Sequence, residues 1–108
     1  MAQNFRRYTL NGVGTGATSI TASDSYDTII GIRLANVTSN MILVDAYIND
    51  GTNNIYIVKE APIPAGSSLE LIDGASKIIV ESGDQLFIQS DTASSVDAWI
   101  SAVDDIST

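Results

Sequence analysis

Along most of this chain, apolar side chains recur at every second position rather than at the three-and-four spacing of a helix. Residues 41–49 show it best: Ile42, Val44, Ala46 and Ile48 alternate with Leu43, Asp45 and Tyr47. Successive side chains of a strand point to opposite faces, so the aliphatic set faces a core and the Asp45 side faces water. The same reading applies to 26–35, where Ile30, Ile32 and Leu34 share one face and Gly31, Arg33 and Ala35 the other. It applies again to 95–103, where Val96, Ala98, Ile100 and Ala102 fall together. Further strands are expected at 54–60 with Ile55 and Ile57 inward, at 67–72 with Leu69 and Leu71 inward and Glu70 outward, and at 77–81 and 85–89. Residues 17–21 read as a short edge strand, and 5–10 as a short strand or an extended arm.

Between these runs stand turn formers. Asp50-Gly51 in 49–54 supplies the positive φ of a tight hairpin. Polar turns are expected at 22–25, 36–40, 73–74, 82–84 and 90–94. Pro62 and Pro64 each lack an N–H, so 62–66 is expected to end strand pairing and to carry the chain from one sheet to another. Short strands at this spacing mark an all-β fold. The expectation is a single-domain antiparallel β-sandwich, jelly-roll or immunoglobulin-like, or a partly closed barrel. Residues 1–16 would form an N-terminal arm and glycine-rich hinge, residues 17–108 the sandwich, and 104–108 an acidic tail.

Composition narrows the function classes. The 108 residues fit one domain, and 44% of them are hydrophobic, which supplies one core. Only 17% are charged, so Ser, Thr, Asn and Gly carry much of the surface. Such a surface loses little on packing against neighbours. Thirteen acids against five bases give a net charge of −8, which argues against nucleic acid or an anionic membrane as partner. No apolar run is long enough to span a bilayer, and no apolar region follows Arg6 and Arg7 as in a signal peptide. Without cysteine, stability rests on the core, on strand pairing or on partner subunits. The sequon Asn36-Val37-Thr38 is expected to be chance.

With no histidine and no cysteine, the Ser-His-Asp, Cys-His and zinc chemistries are absent. Asp45, Glu60, Glu70 and Glu81 could in principle supply a carboxylate pair, but outward strand positions explain them as solvated charges. Residues 50–54 offer oxygen ligands without the spacing of a calcium loop. Gly12, Gly14 and Gly16 lack the spacing of a phosphate cradle. No catalytic, metal or cofactor site is expected, and the chain is not expected to be an enzyme.

The candidate surface is therefore aromatic. Tyr47 and Tyr56 fall on strands of one hairpin and are expected side by side on its outer face, as a subunit-contact or sugar-binding platform or as a plain cross-strand pair. Trp99 opposes the aliphatic face of its strand, as an interface anchor or as a core residue. Phe5, Arg6, Arg7 and Tyr8 form a basic, aromatic stretch that could dock on an acidic neighbour, including another copy of this acidic chain.

Four stretches carry a resemblance: Asn4-Phe5-Arg6-Arg7-Tyr8-Thr9, then 44–51 (VDAYINDG), then 61–69 (APIPAGSSL) with its Pro64-Ala65-Gly66 turn, and the 79–86 run (IVESGDQL). In them the chain resembles small virion structural proteins of tailed bacteriophages, particularly those of marine and cyanobacterial phages. The resemblance implies a β-sandwich attached in many copies to the head, neck or tail, assembled in the host cytoplasm. The expected partners are the major capsid protein or other virion proteins, together with copies of itself. The expected role is capsid decoration (cement). A neck, collar or tail-fibre component is the alternative, and a carbohydrate-binding module is the alternative of another class.

Overall fold

The computed structural model describes residues 4–19, 27–72, 78–81 and 83–104. The turns expected at 22–25 and 73–74, Ser82 and the tail beyond 104 lie outside the described residues. The chain is all-β, with two antiparallel sheets forming one sandwich-like domain. The strands are β1 (Asn4–Val13), β2 (Thr18–Ser19), β3 (Asp27–Asn36), β4 (Ile42–Asn49), β5 (Asn54–Ile63), β6 (Ser68–Glu70), β7 (Ile78–Val80), β8 (Gln85–Ser90) and β9 (Val96–Asp104).

One sheet has the order β1-β9-β3-β6, with β7 also paired to β3, and the other has β2-β8-β4-β5. β6 and β7 pair with opposite ends of β3 and together occupy one strand position. The pairings are then nested: β4 with β5, β3 with β6 and β7, β2 with β8, and β1 with β9. A long hairpin wound around its own tip in this way is the jelly-roll connectivity, not the immunoglobulin one.

The core lies between the inner faces. Ile42, Val44 and Ala46 of β4, Leu86 and Ile88 of β8, and Val96, Ala98, Ile100 and Ala102 of β9 are all buried, as their alternation requires. Full burial of one such aliphatic side chain stabilises by about 1.5–3 kcal/mol. On β3 a register shift between Ile29 and Gly31 changes the expected face. Ile29 enters the core at 0% exposure, while Ile30 is only half-buried. The extra residue of a bulge moves every earlier side chain to the other face.

Three further expectations are corrected. Residues 4–13 are not an arm. From Asn4 to Leu10 they pair in unbroken register with β9, because Tyr8 and Leu10 pack on the core. The glycine stretch is not a hinge either. Ser95 N–H donates to the Val13 carbonyl and Ser90 N–H to the Gly14 carbonyl, each at 2.9 Å. A side chain on Gly14 would come within 3.2 Å of the Ser94 nitrogen, so this segment is clamped to the β8–β9 loop. Finally, Pro62 does not end β5; it pairs opposite Leu43. β5 is an edge strand, where a missing N–H goes unfelt. The crossover that follows does carry the chain to the other sheet.

Ile57 is half-buried, but Ile55 is 57% exposed and does not face the core as expected. It sits opposite Ile48 at the hairpin tip, after two register shifts between Val44 and Tyr47.

Asn36 ties the sheets together. Its buried amide Nδ2 donates to the carbonyls of Asn40, Ile63 and Pro64, at 2.7, 2.9 and 3.2 Å. Its Oδ1 accepts from the Thr38 N–H at 2.8 Å. The Asn-Val-Thr triplet at 36–38 is therefore a structural turn with its asparagine amide fully engaged.

Candidate interface on the sheet faces

The outer face of the five-stranded sheet is organised around Trp99. β9 is central in that sheet, and its alternation sends Ala98 and Ile100 inward and Trp99 outward. Strand register fixes its neighbours: Thr9 on one side, Arg33 on the other, and Glu70 beyond Arg33. Arg7, opposite Ser101, reaches back so that its guanidinium carbon lies 5.3 Å from the centre of the indole ring. A guanidinium over an exposed indole stabilises by about 0.5–1 kcal/mol. Arg33 Nε donates to Glu70 Oε1 at 3.2 Å, but both groups are solvated and the pair is worth at most about 1 kcal/mol.

Trp99 is 51% exposed, so it is not a core residue. Gly31, Arg33, Glu70 and Ser101 border an open depression of about 390 Å³ on one side. Thr9, Asn11, Ala35 and Asp97 help to border another of about 360 Å³ on the other side. Asp97 is held in place by Gly12 N–H at 3.0 Å and Asn11 Nδ2 at 3.2 Å.

The opposite face of the sandwich carries a row of rings. Tyr47 lies directly opposite Tyr56 on β5 and Phe87 on β8. The ring centroids are 5.0 and 5.4 Å apart, and Lys59 Nζ caps the row 4.6 Å from the Tyr56 centroid. The expected side-by-side placement of Tyr47 and Tyr56 is present. Tyr47, however, is only 9% exposed between its neighbours, so of the two tyrosines it is Tyr56 that presents a surface there.

Of the expected carboxylates, Asp45 and Glu60 border one open depression of about 290 Å³ together with Asp91, while Glu70 and Glu81 lie apart from it. Glu70 sits with Arg33, and Asp45 accepts the Glu60 N–H at 2.7 Å. Glu81 N–H donates to Asp84 Oδ2 at 3.0 Å. In the β4–β5 turn, Asp50 Oδ1 accepts the N–H groups of Asn53 and Thr52 at 2.8 and 3.0 Å. Those bonds, Asn53 first, hold the Asp50 carboxyl below its ordinary pKa. Residues 50–54 are thus a hairpin turn. No group of three or more potential metal-ligating side chains occurs among the described residues.

The seven expected contact residues do not form one site. Arg7 and Trp99 come together on one face, and Tyr47 and Tyr56 on the other. Tyr8 packs on the core. Phe5 and Arg6 lie in β1, opposite Val103 and Ala102. Arg33, Glu70 and Phe87 were not among the expected residues, although Arg33 already stood on the outward side of its strand with only Gly31 and Ala35. No protein-family model matches the chain, and no curated protein is similar to it. Function must therefore be argued from this geometry.

Proposed function

We propose that this chain is a non-enzymatic structural protein of a tailed-phage particle, docked on its neighbours through the Trp99 face. In its most specific form it is a capsid decoration protein that binds the major capsid protein and reinforces the head; a neck, collar or tail-fibre component would use the same face. The observation that carries the reading is the half-exposed indole of Trp99 on a central strand, with Arg7 over its ring and Arg33 beside it in register. Tryptophan and arginine dominate the energetics of protein interfaces. Jelly rolls recur in viral capsids, a likeness of architecture only.

Cryo-electron microscopy of purified particles that encode the chain tests this reading. Density for the sandwich in lattice-like copy number on the head supports decoration, and a low-order ring supports the neck or tail. Particles without the chain sink the proposal.

A carbohydrate-binding module is the second reading, because two open depressions, mostly apolar with a few polar side chains, flank the indole. Binding to a glycan array that disappears in Trp99→Ala would favour it over the first.

A further inference from the structure

Near its end β1 leaves the regular ladder. Leu10 stands opposite Ala98 and Val13 opposite Val96, so Asn11 and Gly12 together face the single residue Asp97. A bulge of this kind takes a backbone N–H out of the ladder, and that group needs another acceptor. The Gly12 N–H donates to Asp97 Oδ1 at 3.0 Å. The Asn11 amide Nδ2 donates to the same oxygen at 3.2 Å. Gly12 has φ +68°, a conformation that suits glycine. Asn11 is exposed, and it begins the only Asn-Gly pair in the sequence.

Asparagine before glycine is open to ring closure, because glycine has no Cβ to shield its nitrogen. The Gly12 nitrogen bonds to Asn11 Cγ, the Cγ–Nδ2 bond breaks, and ammonia leaves with the Gly12 amide proton. Water then opens the five-membered imide at either carbonyl, giving aspartate or isoaspartate. No oxidant or reductant takes part.

We propose that Asn11 is a site of this spontaneous modification, held shut by Asp97 and released when the end of β1 opens locally. One carboxylate oxygen binds both nitrogens that must react. Attack on Cγ comes from above the Gly12 peptide plane, whereas the N–H lies in that plane and points at Asp97. The Asn11 amide is drawn to the same oxygen. Ring closure therefore waits for Asn11 to leave Asp97, a local opening. The change runs one way: the product carboxylate has no N–H for Asp97 and meets its like charge instead. Asn11 and Asp97 both border the depression beside Trp99, so the conversion adds a negative charge to that face. The site does not depend on what docks there.

Ageing of the whole folded chain at neutral pH tests this, read by mass spectrometry of tryptic peptides. Cleavage after Arg7 and Arg33 yields residues 8–33, where Asn11 is the only side-chain amide. An exchange of NH2 for OH mass in that peptide reports this site alone, and position 97 lies outside it. Wild type should convert slowly when folded and about tenfold or more faster in urea. Asp97→Ala, checked for folding by circular dichroism, should convert about tenfold faster than folded wild type, the effect of one charge-assisted hydrogen bond on a local opening. Asp97→Asn keeps an acceptor of the same shape and should fall between the two; it decides the matter where Asp97→Ala does not fold. A folded variant in that deciding role that converts no faster than wild type, or a wild type that converts as fast folded as in urea, would overturn the proposal.

Discussion

The amide of Asn36, at the end of β3, donates to the backbone carbonyl of Ile63, at the end of β5, and so joins the two sheets with a buried hydrogen bond of 2.9 Å. The same nitrogen serves Asn40 and Pro64, while the oxygen fixes the turn through Thr38. A primary amide has two N–H donors for this carbonyl cluster and still accepts from a backbone N–H through its oxygen. Asn36→Ala strands the buried Ile63 acceptor and should cost about 3 kcal/mol. Asn36→Asp, which turns a donor into a charge facing carbonyls, should cost at least as much. Urea denaturation measures both, and a loss under about 1 kcal/mol would contradict the role.

Glu60 occupies a backbone conformation that suits glycine, with φ +52°, and its N–H is held by Asp45. A non-glycine residue there carries a cost of about 1 kcal/mol. Glu60→Gly should therefore raise stability by up to that amount, while Asp45→Ala, which frees the bulge, should lower it by about 1 kcal/mol. Thermal unfolding of the two single variants and the double variant separates the effects. If Glu60→Gly is destabilising, the conformation is not a source of strain.

Much of this fold was legible in the alternation of β4, β8 and β9, because their core faces are uninterrupted. What periodicity cannot show is a bulge. At Ile29–Gly31 one extra residue on β3 changes the face, and opposite Val44–Tyr47 two extra residues on β5 shift its register against β4. Strand position was equally hidden. Pro62 reads as a breaker unless β5 is known to be an edge, and Asn4–Leu10 reads as an arm unless β9, at the far end of the chain, is known to lie beside it. The site follows the same division. Tyr47 and Tyr56 meet through a local hairpin and could be paired by counting. Phe87 joins them, and Arg33 joins Trp99, only through long-range register.

Acid should reveal the turn at Asp50. Its carboxylate is stabilised by the N–H groups of Asn53 and Thr52, so its folded pKa lies below the unfolded one. A depressed acid contributes stability that is fully present above the unfolded pKa and is lost as pH falls through the folded pKa. Relative to Asp50→Asn, wild type should hold a constant advantage in Tm above about pH 5. That advantage should shrink below about pH 4 and vanish under the folded pKa. A gap that stays the same from neutral pH down to pH 2 would mean that the charge of Asp50 has no part in fixing the turn.

Trp99 is the sole tryptophan, so its own fluorescence reports on the face that it occupies. Half of the indole meets water in the isolated chain, and its emission should accordingly be red-shifted and quenched by acrylamide. Docking of that face removes water from the ring, so assembly should shift the emission to the blue and suppress quenching. Trp99→Ala removes little core, because the buried side of β9 is made by Val96, Ala98, Ile100 and Ala102. Its unfolding free energy should change by no more than about 1 kcal/mol. Its affinity for the particle should fall about thirtyfold or more, the size of a loss at an interface hot spot. These two readouts pull apart the alternatives for the residue. A packing residue would lose stability and keep its docking, whereas a contact residue would keep its stability and lose its docking.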